Sequence, residues 1–330
     1  MMSKLIIPTS ALLLLLGAVG CSKQQAVQEQ GNFPADHVIR VSPTVAAATR
    51  GSHSQDNLAR FDLLVEDSKS PDSKYTYSNT PFEKSGTDWT SDKMLLWKDS
   101  DSEVLVYAIA PSAGLTSMVS VDDFNYGQDG VGFEVQAEQT KDDNSSDYLV
   151  WTSGLKKVSE LLGSDGKLSF AFTHLLTRFT VKFNLGTEFN VSGIPQQDIL
   201  SDVVISGTAR DFKLKGDASS EWTSFVINPG AVASDIKAYN VGWTSATDEK
   251  GNCTSLYESI LVPQTVATGN LKISFKAAGK AYEWKSTKEY SLNGNTAYTL
   301  TLNVGKDVAI AGGFSASEWL EGNGGTLATE

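Results

Sequence analysis

The octapeptide Arg178–Leu185, RFTVKFNL, alternates without a break. Phe179, Val181, Phe183 and Leu185 fall on one side, and Arg178, Thr180, Lys182 and Asn184 on the other. A period of two belongs to a strand with one face in a core and one in water. The pattern returns along the chain. YTLTLNV (298–304) puts Tyr298, Leu300, Leu302 and Val304 on one face. LKISF (271–275) does so with Leu271, Ile273 and Phe275, and KLSFAF (167–172) with Leu168, Phe170 and Phe172. VLVYAIA (104–110) is apolar throughout, as suits a strand covered on both faces. Turn-rich stretches separate these runs, and Asn293-Gly294 is a hairpin signal. Only GLKKVSELL (154–162), with Leu155, Val158, Leu161 and Leu162 at helical spacing, predicts a helix, and a short one.

Many short strands and little helix predict an all-β chain of two β-sandwich domains in series, of transthyretin-like or Greek-key type. The domain boundary is expected after residue 186. There GTEFNVSGIPQQD brings glycines, a proline and polar residues together. The expected division is a signal segment over 1–20, a tether over 21–35, a first strand and loop over 36–50, and sandwiches over 51–186 and 187–330.

The N-terminus carries Lys4, an apolar run ending in ALLLLLG, and then Ala18-Val19-Gly20-Cys21. Such a run is too short for a membrane span and reads as an export signal. Small residues directly before a cysteine suit a bacterial lipoprotein signal peptidase, which makes Cys21 the expected lipidation site. Ala18 stands where leucine is usual. SKQQAVQEQGN after it is polar and suits a tether. The formal net charge of −12 argues against nucleic-acid partners, because an acidic chain repels phosphate. With Cys21 lipidated, Cys253 has no disulfide partner and is expected to be a small buried residue.

Nothing in the chain assembles a catalytic motif. The histidines are His37, His53 and His174. The first two flank a low-complexity leader, and His174 is expected to be structural. There is no G-x-S-x-G, H-E-x-x-H, C-x-x-C or phosphate-binding glycine loop. KDSDSE (98–103) and KDDNSSD (141–147) lack the glycine and the spacing of a calcium loop, so they read as solvated loops. No enzyme activity, cofactor or metal is expected. The seven tryptophans leave open a sugar-stacking platform, and with it a glycan-binding lipoprotein of a polysaccharide-uptake system as the alternative reading.

Several landmarks occur together and in order. A lipobox precedes the strand-like HVIRVSPTV (37–45) and the bland loop AAATRGSHSQ (46–55). DYLVWTSG (147–154), LSFAFTHLLTRFTVKF (168–183), YESILVPQTV (257–266), NGNTAYTLTLNV (293–304) and FSASEW (314–319) follow. In this order they resemble the fimbrillin family, the subunits of type V pili in Bacteroidetes-type bacteria. The resemblance implies an outer-membrane lipoprotein precursor that ends in a cell-surface pilus and serves adhesion. It implies an arginine-specific surface protease cutting between Arg50 and Gly51, and release of a first strand carrying Val38, Ile39, Val41 and Val45. It also implies partners that are other pilin subunits, joined by donor-strand exchange, with host or bacterial surface ligands as further partners. Arg40 and Arg60 compete with Arg50 as cut sites, but both fall where strand pairing is expected. The tail offers Val308, Ile310, Phe314 and Trp319 as a donor segment, interrupted by Gly312-Gly313. Stalk, tip and accessory positions all stay open.

Overall fold

Strand alternation becomes sheet membership once the chain is folded. A computed structural model describes residues 31–45, 53–69, 74–111, 121–127 and 129–319. Among the described residues, strands numbered along the chain dominate and helix is confined to single turns. The largest sheet has the order β1-β8-β7-β5-β2-β3-β4. Its strands are β1 (Val41–Val45), β8 (Leu168–His174), β7 (Leu149–Lys157), β5 (Glu103–Ala110), β2 (Arg60–Asp67), β3 (Tyr77–Ser85) and β4 (Asp88–Thr90). A five-stranded sheet runs β14 (Tyr239–Thr244), β15 (Cys253–Leu261), β9 (Thr177–Leu185), β20 (Thr296–Val304), β21 (Ala309–Glu318). A four-stranded sheet runs β13 (Ala233–Lys237), β10 (Leu200–Ala209), β17 (Lys272–Ala277), β18 (Lys280–Lys285). Two small sheets complete the set: β12 (Phe225–Pro229), β11 (Asp211–Gly216) and β6 (Val131–Glu134), and the pair β16 (Gln264–Val266) and β19 (Tyr290–Leu292).

The seven-stranded sheet curls around its own core. Phe61 on β2 stands three strands from β8, which on a flat sheet is about 14 Å. Yet its ring lies 5.8 Å from Phe170 and 5.6 Å from Phe172, and it also meets Phe82 and Trp89. Ile39, Val41, Leu95, Trp97, Val106 and Leu168 fill the same cluster. The opposite face of β2, β5 and β7 presents Leu64, Leu105, Tyr107, Ile109 and Val150 to a second cluster, shared with the rest of the chain. Strand β5 is therefore buried on both faces, as its unbroken apolar run predicts. In the second cluster, Phe183 of β9 meets Phe275 of β17 at 4.7 Å, closing the five- and four-stranded sheets face to face.

Three expectations are corrected. Strand β9, expected to close the first sandwich, is the central strand of the five-stranded sheet, between β15 and β20. Strand β6 likewise pairs with β11. The line expected after residue 186 thus cuts through sheets, and the described residues from Asn32 onward belong to one compact unit. The reason is that alternation fixes which face of a strand is buried but not which strand it pairs with. The helix expected over 154–162 is a single turn (Val158–Leu161), because β7 continues through Lys157. Asn293-Gly294 makes no hairpin, since β19 and β20 on either side enter different sheets. A Cβ on Gly294 would lie 2.5 Å from the Leu175 carbonyl oxygen, so glycine is there for close approach.

Candidate functional site

Strand β1 lies at one edge of the seven-stranded sheet and pairs with β8 alone, in parallel, over Val41↔Leu168 to Val45↔Phe172. Ile39, Val41 and Val45 are buried, Val38 is half-buried, and Arg40 and Thr44 point to water. Parallel pairing uses the backbone of alternate residues. Leu168 N–H donates to the Arg40 carbonyl at 2.8 Å. With that register Arg40, Ser42 and Thr44 face β8, and Ile39, Val41, Pro43 and Val45 turn their backbone outward. Pro43, which has no N–H, therefore costs the ladder nothing. The outer edge is further occupied by Gln55, whose side chain accepts from Val45 N–H at 2.9 Å and donates to the Pro43 carbonyl at 3.5 Å. Upstream, Ile39 N–H donates to Leu95 and Trp97 N–H donates to His37. A cleft of 630 Å3 runs beside Val38–Val41, with Asp88–Leu95 as its other wall.

The partner strand is less secure than its position inside the sheet suggests. Strand β8 pairs with β7 only at Leu149↔His174 and Val150↔Thr173. Residues 168–172 take their ladder pairing from β1; the added support is an antiparallel bridge between Leu168 and Leu162 and the burial of Leu168, Phe170 and Phe172. Strands β1 and β8 thus form a two-stranded ribbon laid over the core.

The expected lipidation site Cys21 and the expected cut between Arg50 and Gly51 lie outside the described residues. The two competing arginines are described. The backbone at Arg40 is bonded to β8, and Arg60 opens β2, where it pairs with Glu83 of β3. The chain after residue 52 is fixed immediately: His53 is buried, and its N–H donates to Asp147 Oδ2 at 2.7 Å.

Asp147 gathers landmarks that looked unrelated along the sequence. Its other oxygen, Oδ1, accepts from His174 Nδ1 at 2.9 Å. The His174 ring stacks on Trp319, with centroids 4.2 Å apart and planes 8° apart. The Arg178 guanidinium lies 5.9 Å from the Trp319 ring centre. Asn144 Nδ2 donates to His53 Nδ1 at 3.0 Å, and burial pushes the His53 imidazole below its usual range. Asp147 and Trp319 are 0% exposed. His53 Nε2, His174 Nε2 and Trp319 Nε1 are buried with no hydrogen-bond partner. A His–Asp pair can orient a general base, but this one is sealed from any cleft by its burial. Sequence reasoning missed this cluster. The signal present was a polar residue at the end of an apolar run, Asp147 opening DYLVW and His174 closing LSFAFTH.

The other candidates resolve individually. Asp99 accepts from the backbone of Asp101 and Ser102, capping its own turn. Cys253 is buried, with Ala246 N–H directed at its sulfur. Trp97, Trp284 and Trp319 are buried, and Trp89 and Trp151 pack on one core cluster while Trp222 and Trp243 pack on the other. Strand β21 absorbs Gly312-Gly313 in a bulge against β20.

A family model described as fimbrillin-like matches residues 45–319. The chain belongs to the fimbrillin-like family. Its fold is similar to a tip fimbrial protein, Mfa3, from Porphyromonas gingivalis, with a TM-score of 0.52, 12% identity, and 86% of this chain and 98% of that one covered. It is also similar to proteins assigned to cell adhesion from Bacteroides ovatus (TM-score 0.55, 12% identity, 88% and 100% covered) and Bacteroides uniformis (0.53, 13%, 87% and 99%). No curated protein sequence matches this fimbrillin-like chain.

Proposed function

We propose that this fimbrillin-like protein is a pilus subunit, exported as a lipoprotein precursor on Cys21 and matured by a cut between Arg50 and Gly51. The cut turns β1 into a strand held only by non-covalent pairing. Its departure leaves the Leu168–Phe172 edge of β8 to an extended segment of another subunit, in the manner of β-augmentation. The observation that carries this reading is the one-sided attachment of β1. It is a short edge strand with a single pairing partner and an apolar face seated in a core. A segment with apolar residues at alternate positions can replace Ile39, Val41 and Val45. The role is structural, with no reaction assigned. A contribution to adhesion is part of the proposal, as are the arginine-specific protease and the outer membrane as partners.

Arg50→Ala tests it. Limited proteolysis of the wild type with an arginine-specific protease, followed by N-terminal sequencing, is expected to give a chain beginning at Gly51 that then forms polymers. Arg50→Ala is expected to stay intact and monomeric while still taking up labelled fatty acid. A first cut after Arg178 or Arg210, or normal polymers from Arg50→Ala, refutes the reading.

A further inference from the structure

We propose that Asp147 is an interlock that makes the hold on the C-terminal strand β21 depend on an uncut N-terminal loop. The inference rests on the reading that the chain is cut after Arg50. One buried carboxylate seats both ends of the remaining body. Oδ2 holds the backbone of His53, three residues beyond the proposed cut. Oδ1 holds His174, and His174 supports Trp319, the residue directly after β21.

Before the cut, His53 is tied covalently by the chain to β1 behind it and to β2 ahead of it. After the cut it lies two residues from a free chain end, and free ends fray. If His53 leaves, Asp147 Oδ2 becomes an unsatisfied acceptor on a fully buried carboxylate, which costs more than an ordinary lost hydrogen bond. The carboxylate then turns toward water, which removes the charged acceptor that fixes the His174 ring against Trp319. The rest of the hold on Trp319 is the burial of its ring in the core, a backbone bond to Asn295 at 3.2 Å and the Arg178 cation over its ring.

The cluster is suited to open rather than to clamp. A polar network with every member satisfied is rigid, whereas this one buries three ring nitrogens without partners. Beyond Trp319, β21 is held by Phe314, which packs on Tyr290 and Tyr298, and among the described residues its backbone pairing is one-sided. It pairs only with β20, its bulge interrupts that ladder, and Ile310 to Gly313 are exposed. Removing its terminal anchor therefore loosens β21 first, while β9 and β15 stay paired on both sides.

Hydrogen exchange on the Cys21→Ala protein reads the coupling directly. Four samples are compared: uncut, trypsin-cut after Arg50, uncut His53→Pro, and uncut His53→Ala. Proline removes the N–H that Asp147 accepts, whereas alanine keeps it. In the cut and His53→Pro samples the β21 amides are expected to exchange about tenfold faster than in the uncut protein, with β15 unchanged. His53→Ala is expected to match the uncut protein in β21. Asp147→Asn, which puts an amide in place of the acceptor, replaces His53→Pro if the proline variant does not fold. Equal β21 protection in cut and uncut protein overturns the interlock, and so does acceleration spread equally over β15. If trypsin does not cut after Arg50, the maturation reading fails. The coupling is then judged on His53→Pro alone, where unchanged β21 exchange overturns it.

Discussion

The double substitution Ile39→Ala, Val41→Ala tests whether β1 opens as a unit of its own. Both side chains are 4% exposed and sit in the core of the seven-stranded sheet. Truncating a buried isoleucine to alanine costs about 2–5 kcal/mol. Valine loses two carbons, about 1.6 kcal/mol by transfer, before any cavity is counted. The residues are neighbours on one face, so their effects overlap and about 4 kcal/mol is a fair total. That loss falls on the seating of β1 and the residues just before it, whose full-sized buried side chains are then Pro43 and Val45 alone. The readout is amide exchange at Leu168, Phe170 and Phe172, the β8 N–H groups that face β1. At 1.4 kcal/mol per tenfold, exchange there should rise about a thousandfold in the uncut protein. Amides of β15 should change far less, since β15 is paired on both sides in another sheet. After cleavage the same variant should lose its N-terminal peptide on size exclusion faster than the wild type does. Equal acceleration in β8 and β15 would mean that β1 opens only when the whole chain unfolds, and the release of a separate strand would be refuted.

Three further outcomes are expected. Gly294→Ala places a methyl 2.5 Å from a backbone oxygen that cannot yield easily, and should cost about 1–3 kcal/mol in denaturant unfolding. Phe61→Ala removes the ring about which the seven-stranded sheet curls and should cost about 3–5 kcal/mol by the same measurement. His53 gives a pH dependence. Burial holds its imidazole below the ordinary value of 6.5, so the unfolded chain takes the proton first. Its contribution to stability is complete above pH 6.5 and is lost as pH falls toward the folded value, by at most about 1.4 kcal/mol per pH unit. Glu66, raised by burial, acts in the opposite sense from pH 4.5 upward, so the measurement is the difference between wild type and His53→Asn in urea midpoints from pH 7.5 to 5.

Local chemistry was legible in the sequence and long-range pairing was not. RFTVKFNL, YTLTLNV and KLSFAF are β9, β20 and β8, with the faces their alternation assigned. The burial of Ile39, Val41 and Val45 follows from the same rule. The parallel pairings of β1 with β8 and of β9 with β20 have no local signature, because each joins residues more than a hundred positions apart. The misplaced domain line comes from the same gap: β9 follows β8 after two residues, yet the chain changes sheet there, at Leu175-Leu176. The Asp147 cluster was hidden for a different reason. Each member alone fits a bland account, a solvated aspartate, a structural histidine, a core tryptophan, and only their convergence gives them a joint role.

Pro43 has a consequence for when the protein can associate. An edge strand with a row of free N–H groups invites the wrong partner, and natural sheets often blunt such edges with proline. Here the blunting residue sits on the segment that the proposed cut discards. In the proposed precursor, Pro43 is a safety catch on the outermost strand. The edge uncovered when β1 departs, LSFAF, has neither proline nor charge. On the proposed maturation, protection against premature joining leaves with β1 while the joining edge stays on β8, and a single peptide-bond cleavage exchanges the first for the second.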